Sequence, residues 1–347
     1  MLPVRVRAAV AAAPPYVAGR RPAHARRVAR LASNELSFEV PLPMRRGGVR
    51  RYPEPTSMDL RDALAAQLGV SADAIVASPG SVALCRLLID TVCDPGDEVV
   101  FAWRSFEAYP MLAALAGAST VAVPLTADGE HNLPAMAAAV TDRTRLIFVC
   151  SPNNPTGPVV TPAAFDEFLA AVPADVLVVL DEAYIEFVTA AVPDGLALLS
   201  EHPNLLVLRT FSKAYGLAGA RVGYGVCDAQ LAGLLRSAQV PFAVAQPSID
   251  LAVAALGLDL RPRLREITVR RDALVDRLAE RGLRVPAAHG NFVWLPVGYQ
   301  AAPLAAALAD RDVLVRPFAG EGIRITVGNE EEMAMLMAAL DDVLVGV

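Results

Sequence analysis

The sequence predicts an α/β fold, a mostly parallel sheet with helices on both faces, accompanied by a smaller α+β domain. Three observations predict it. Short β-rich apolar runs alternate with helical stretches, as in a sheet covered on both faces. Polar residues gather directly after those runs: Asn153 and Asn154, then Asp181, then Ser212 and Lys213. After about Pro247 the texture changes to an arginine-laced helical stretch, short strands and a closing helix. The expected division is an N-terminal arm over residues 1–40 that completes the small domain, a large domain over 41–247 and a small domain over 248–347.

The arm comes first. Pro14, Pro15, Pro22, Pro41 and Pro43 break any long helix, Gly47-Gly48 close the segment, and Leu31–Glu35 reads as a short strand-like piece. Ser57 is the expected cap of a helix running to about Leu68, in which Leu60, Leu64 and Leu68 repeat at i+4. Ile75–Ala77 leads into Ser78-Pro-Gly-Ser81, where a helix to about Val92 begins. Strands follow at Glu98–Phe101 and Thr120–Val123, with a helix over Tyr109–Ala116 between them. Thr144–Cys150 is a nearly continuous apolar strand stopped by Ser151-Pro-Asn-Asn-Pro-Thr-Gly157, and a helix covers Pro162–Ala171. Val176–Leu180 is fully apolar and ends at Asp181-Glu182; Leu205–Leu208 runs into Thr210 and Lys213. One helical region is expected from Ser248 to about Arg281, then strands at Phe292–Leu295, Val313–Arg316 and Gly322–Val327, and a helix from Glu330 to about Leu344.

Composition narrows the class. The chain of 347 residues is 54% hydrophobic and 20% charged, enough for a sizeable core. Arg, Asp, Glu or Pro interrupts every apolar run before it could cross a bilayer, and Arg5 and Arg7 interrupt the start, so neither a membrane span nor a secretory signal is expected. A net charge of −6 argues against a nucleic-acid partner, despite the local patch from Arg20 to Arg30. Cys85, Cys93, Cys150 and Cys227 lack metal-type spacing and read as reduced thiols of a cytoplasmic protein; the four scattered histidines argue against a metal site. His131 and His289 are expected at the surface or in packing, Trp103 and Trp294 in the core, and Asp341-Asp342 on a solvated face.

Lys213 is the only lysine; the other 30 basic residues are arginine. Arginine does not deprotonate in proteins, whereas lysine can serve as nucleophile or base. Asp181, at the end of an apolar run, requires a cation or donor. A phosphate-binding nucleotidase would hold Mg²⁺ there, but it needs a G-x-x-x-x-G-K-[ST] loop, and Lys213 is neither preceded by Gly nor followed by Ser or Thr. The other reading pairs Asp181 with the protonated ring nitrogen of pyridoxal phosphate. Arg221, eight residues after Lys213, would depress its pKa and suits a phosphate, and Ser78-Pro-Gly-Ser81 at a helix start is an anion-binding pattern.

In that order and spacing, S-P-N-N-P-T-G157, D-E-A-Y184 and T-F-S-K-A-Y-G-L-A-G-A-R221 resemble the fold-type I pyridoxal-phosphate aminotransferases, specifically the branch holding histidinol-phosphate and aromatic amino acid aminotransferases. The resemblance runs from Leu31-Ala-Ser-Asn-Glu35 to Gly322–Gly328. It implies a Schiff base on Lys213, which also shuttles a proton; Asp181 on the pyridinium nitrogen; and Asn154 and Tyr184 on the ring oxygen. Phe106 would stack on the ring, where many relatives carry Tyr. Ser81 and Val82 through their backbones, with Thr210, Ser212 and Arg221, would hold the phosphate. Tyr52 would reach the phosphate of a neighbouring subunit, which implies a homodimer. Arg324 would bind the substrate's anionic group, with Tyr16 and Asn34 lining the pocket and Arg316 contributing. The stretches Gly80–Cys85, Trp103–Glu107 and Asn291–Pro296 look more like the aromatic branch. The expected reaction therefore moves an amino group between Phe, Tyr or Trp and 2-oxoglutarate, with histidinol phosphate as the alternative substrate.

Overall fold

A computed structural model describes residues 28–37 and 48–344. The strands, in chain order, are β1 (Ala29–Arg30), β2 (Ile75–Ser78), β3 (Glu98–Trp103), β4 (Ser119–Pro124), β5 (Thr144–Cys150), β6 (Leu177–Asp181), β7 (Leu205–Thr210), β8 (Gly223–Cys227), β9 (Phe292–Leu295), β10 (Val313–Leu314), β11 (Arg316–Phe318) and β12 (Gly322–Thr326). Seven of them form one sheet in the order β2-β8-β7-β6-β5-β3-β4. β8 alone runs antiparallel to its neighbours; the other adjacent pairs are parallel. The expected α/β architecture is thus present, with a second, smaller sheet β11-β12-β9 and a two-stranded β1-β10 pair.

The central strands are apolar throughout because both faces are covered. Along β3, Val99 and Phe101 join Tyr109, Phe148 and Leu84 on one face, against the helices Ser81–Val92 and Ala108–Ala116. Val100 and Ala102 join Ile147, Val178 and Phe165 on the other, against Leu133–Ala138 and Pro162–Ala171. The period-2 alternation of side chains delivers successive residues to opposite cores. A separate cluster unites Ala29 and Leu31 with Val293, Ile323, Ile325, Leu336 and Leu340. Tyr184, Phe187, Ala214, Ile267, Phe292 and Val327 pack where the two sheets meet.

Several local expectations need correction. Ser57 does not cap its helix: its φ is 58° and its side chain makes no capping bond. The Glu54 carboxylate accepts the N–H groups of Thr56 and Met58 instead, each at 2.8 Å. Leu31–Glu35 is not a strand; the strand is Ala29–Arg30, and Leu31 continues it, its N–H donating to the Leu314 carbonyl and its carbonyl accepting from the Thr326 N–H, each at 2.8 Å. Ser248–Arg281 divides into helices Gln246–Leu256 and Arg261–Ala279, separated at Gly257, with Pro262 suited to the first turn of the second. Val313–Arg316 also divides, because β10 pairs with β1 while β11 turns to pair with β12. His131 sits in packing, one of the two places expected for it: burial lowers its imidazole to about 4, so it packs as a neutral ring. Trp294 is buried, edge-on to Phe318, and Asp341 and Asp342 lie on an exposed face paired with Arg281 and Arg311.

Candidate active site

The carboxyl ends of the parallel strands open into a cavity of about 290 Å³. This is where ligands bind in open α/β sheets. β6 carries Asp181 to the rim, the segment after β5 brings Asn154, and the segment after β3 brings Phe106 and Glu107. Lys213 and Arg221 sit on the connection between β7 and β8, which folds back because β8 is antiparallel; the Phe211 N–H donates to Val222 O at 3.0 Å. From the other side the smaller sheet contributes Arg316 and Arg324, directly opposite each other in register.

Asp181 is 3% exposed. Its Oδ2 accepts the Tyr109 hydroxyl at 2.5 Å and its Oδ1 the Ala183 N–H at 3.1 Å. Burial raises the carboxyl to about 6, opposed by those two bonds. Among the described residues no ion pair reaches it. Tyr109 was not singled out from the sequence. It lies three residues after Phe106, stacks on Phe148 with ring centres 4.2 Å apart, and stays a donor because burial and then the Asp181 charge raise its pKa. Its one legible signal is a tyrosine at the start of an otherwise apolar helix.

Burial, followed by the nearby Arg324 charge, pulls the Lys213 amine down to about 7; Glu35 opposes and Arg221 adds to the fall. Nζ donates to the Ser33 carbonyl at 3.3 Å and lies 5.7 Å from the Tyr184 ring centre. Burial raises the Tyr184 hydroxyl to about 12, and it accepts from Asn34 Nδ2 at 3.0 Å. Asn34 is fully buried behind the cavity wall, tied to Thr326 and Asn291, so it positions Tyr184 rather than lining the pocket as expected. Arg324 donates to Asn154 Oδ1 at 2.5 Å and to Ala32 O at 2.8 Å. Arg316 donates to both Glu107 oxygens, at 2.9 and 3.2 Å.

The opposite end of the cavity is built for close backbone approach. Gly80, at φ 88°, precedes the helix that starts at Ser81 and Val82; a Cβ there would lie 2.5 Å from Arg221 Nη2. A Cβ on Gly223 would lie 2.5 Å from the Ser81 nitrogen. Arg221 adopts φ 56° and directs Nη1 to Ala218 O at 2.8 Å and Ser212 Oγ at 3.4 Å, while Thr210 Oγ1 donates to Ser212 Oγ at 3.1 Å. Tyr52 is not part of this cavity. It is 84% exposed and stacks on Phe242 at 4.9 Å. Tyr16 lies outside the described residues.

The family model described as aminotransferase class I and II matches residues 27–340. An aromatic amino acid aminotransferase of Streptomyces avermitilis is 47% identical over 338 residues, 94% of each chain. One of Corynebacterium glutamicum is 46% identical over 351 residues, spanning 98% of this chain and 100% of the relative. The crystal structure of histidinol-phosphate aminotransferase from Sinorhizobium meliloti in complex with pyridoxal-5'-phosphate superposes with a TM-score of 0.85 at 31% identity, covering 92% of each chain. With the family model spanning residues 27–340 and relatives close to half identical along nearly the whole chain, this chain belongs to the class I and II aminotransferases.

Proposed function

We propose that this aminotransferase moves amino groups between aromatic amino acids and 2-oxoglutarate with pyridoxal phosphate held on Lys213. The observation that carries the cofactor assignment is the pairing of a buried carboxylate at one wall with an anion cradle of Ser81, Val82, Thr210, Ser212 and Arg221 at the other, packed tightly through Gly80 and Gly223. Asp181 is a buried acid that a cationic ring nitrogen would complete, and the cradle leaves backbone N–H groups at a helix start available for a phosphate. When bound, the group acts as an electron sink that lets the bond at the substrate's Cα break.

Each side chain then has a role. Lys213 Nζ would hold the cofactor covalently, and an amine near pH 7 is suited to take and return the proton at Cα. Asp181 would keep the ring nitrogen protonated, with Tyr109 fixing the carboxylate. Tyr184 and Asn154 would hold the ring oxygen and Phe106 would cover the ring face. Ser81 and Val82 N–H, Thr210, Ser212 and Arg221 would bind the phosphate. Arg324 would take the substrate α-carboxylate, with Tyr16 and Arg316 lining the pocket around it. A smaller unit built from residues 1–40 and the C-terminal part is supported by the separate apolar cluster that joins Ala29 and Leu31 to the C-terminal strands. Helix Gln246–Leu256, however, packs with Leu60, Leu64 and Tyr224, which moves the large unit's expected limit of 247 to beyond Leu256. A homodimer would cover Tyr52, whose neighbours Val49, Val240 and Phe242 are also exposed. A cytoplasmic location fits the four free cysteines; among the described residues no helix is long and apolar enough to cross a membrane.

The aromatic substrate class is favoured by the 44–47% identity to curated aromatic amino acid aminotransferases. A second reading, histidinol phosphate, is favoured by the structural likeness to the Sinorhizobium meliloti enzyme. Steady-state kinetics with glutamate and either phenylpyruvate or imidazole-acetol phosphate decides between them. A higher kcat/KM for phenylpyruvate supports the aromatic assignment; a preference for the imidazole substrate overturns it.

A further inference from the structure

The cavity contains a cation that is already neutralised. Three carboxylates line it: Asp181, Glu35 and Glu107. Asp181 lies at the sheet end under Tyr109, and Glu35 pairs outward with Arg30 at 3.2 Å. Glu107 pairs inward, with Arg316, a cavity residue whose side chain is only 11% exposed. The two belong to different sheets: Glu107 follows β3 and Arg316 opens β11. Beside them a second bridge, Arg104 Nε to Glu321 Oε2 at 2.7 Å, joins the same two segments. Arg104 also lies over Trp103 and Phe318, at 4.2 and 5.2 Å from the ring centres, so this neighbouring bridge is held by stacking as well as charge. Arg316 likewise lies over Phe318, at 5.7 Å from the ring centre, so it stays in place if its partner leaves, and Glu107 makes no capping bond to its own helix.

We propose that Glu107 is a specificity-determining counter-ion. It occupies Arg316 while an uncharged aromatic side chain is bound, and yields Arg316 only to a substrate that brings a second anionic group. The proposal rests on the aromatic aminotransferase reading above. Its physical basis is competition for one planar guanidinium. Glu107 takes Arg316 through Nη2 alone, at 2.9 and 3.2 Å, so a second carboxylate that claims the arginine's two-pronged fork must displace it from that nitrogen. An aromatic ring offers nothing in exchange for the Glu107 bonds, so the pair stays closed and Arg316 presents a neutral wall. A distal carboxylate of 2-oxoglutarate must displace Glu107, which at 33% side-chain exposure can turn to water. The enzyme thus admits a monoanion and a dianion in one cavity, with the dianion bound more weakly than an unpaired Arg316 would allow.

The test is Glu107→Gln, with Glu107→Asp and Glu321→Gln alongside. Glutamine keeps the shape but competes poorly, since a neutral amide forms a weaker bond than a carboxylate. Glu107→Gln should lower KM for 2-oxoglutarate about tenfold, with kcat/KM for phenylpyruvate, which does not depend on the glutamate half-reaction, changed less than about twofold. Calorimetric binding of glutarate and of 3-phenylpropionate to the same holoenzyme reads the effect without turnover: glutarate should tighten by a similar factor and 3-phenylpropionate should not. Glu107→Asp should fall between wild type and the Gln variant, and Glu321→Gln should leave the ratio of the two affinities unchanged. Equal shifts for both acids, or weaker glutarate binding in Glu107→Gln, overturn the proposal and make Glu107 a brace for Arg316. Failure of the wild type to turn over any aromatic substrate would overturn the functional reading instead, while the glutarate comparison would still judge Glu107.

Discussion

Asp181→Asn separates what the fold tolerates from what the chemistry requires. In the folded chain burial raises Asp181 from 3.8 to about 6. The folded state therefore holds a proton that the unfolded state has already released, and stability falls as pH rises from the unfolded value through the folded one. The shift of about two units corresponds to about 3 kcal/mol of destabilisation, fully developed above about pH 6 in cofactor-free protein. Asparagine does not titrate. Its stability advantage over wild type should therefore be small at about pH 4 and grow by about 2–3 kcal/mol by about pH 8, which is about 3–4 °C in Tm for a chain of this length. Catalysis should move the other way. Loss of the carboxylate opposite the ring nitrogen should lower kcat by about two orders of magnitude or more. Thermal melts of both apo-proteins across the pH range, with kcat on the reloaded enzymes, check both halves. A Tm difference that does not change with pH would refute the claim that Asp181 is a costly buried charge. Full activity in the variant would refute its role at the ring nitrogen.

Other expectations are direct. Because Lys213 is the only lysine and its amine sits near 7, acylation of cofactor-free protein at this residue should rise from about pH 6 to about pH 8 and then level off, as peptide mapping would read. Lys213→Arg should fold, escape labelling and lose transamination; near-normal turnover would exclude the proposed role. Gly223→Ala, whose Cβ would press on the Ser81 nitrogen, should cost about 1–3 kcal/mol by denaturant unfolding and weaken phosphate-dependent cofactor binding. Arg271 is 1% exposed and donates to Phe187 O at 3.0 Å and Gly290 O at 3.4 Å, tying the helix Arg261–Ala279 to the segment after β6. Arg271→Met should leave both carbonyls without that donor and lower stability by about 2–4 kcal/mol, with KM for both substrates little changed.

Strand existence and order of chemistry were legible in the chain because a doubly covered sheet demands unbroken apolar runs, and whatever follows such a run stands at its open end. That logic alone put Asn154, Asp181 and Lys213 at strand ends. Lys213 stood out for a compositional reason, as one amine in a chain that otherwise uses arginine. Boundaries set by competing partners were not legible. Ser57 lost its capping role to Glu54, four residues before Met58, and Val313–Arg316 was split by two different strands claiming it.

The sequence by itself determined the fold class, the strand-end location of the chemistry and the identity of the residues that could perform it. Those follow from hydrophobic periodicity and from side-chain chemistry, which are local properties. Only the tertiary structure decided which groups meet. It set the Tyr109 hydroxyl against Asp181, placed Asn34 behind Tyr184, and brought Arg316 to Glu107 across 209 positions of chain. Burial and charge proximity, not residue type, then moved Lys213 to about 7 and Asp181 to about 6. Such shifts depend on what surrounds a group in three dimensions, and that surrounding has no signature along the chain.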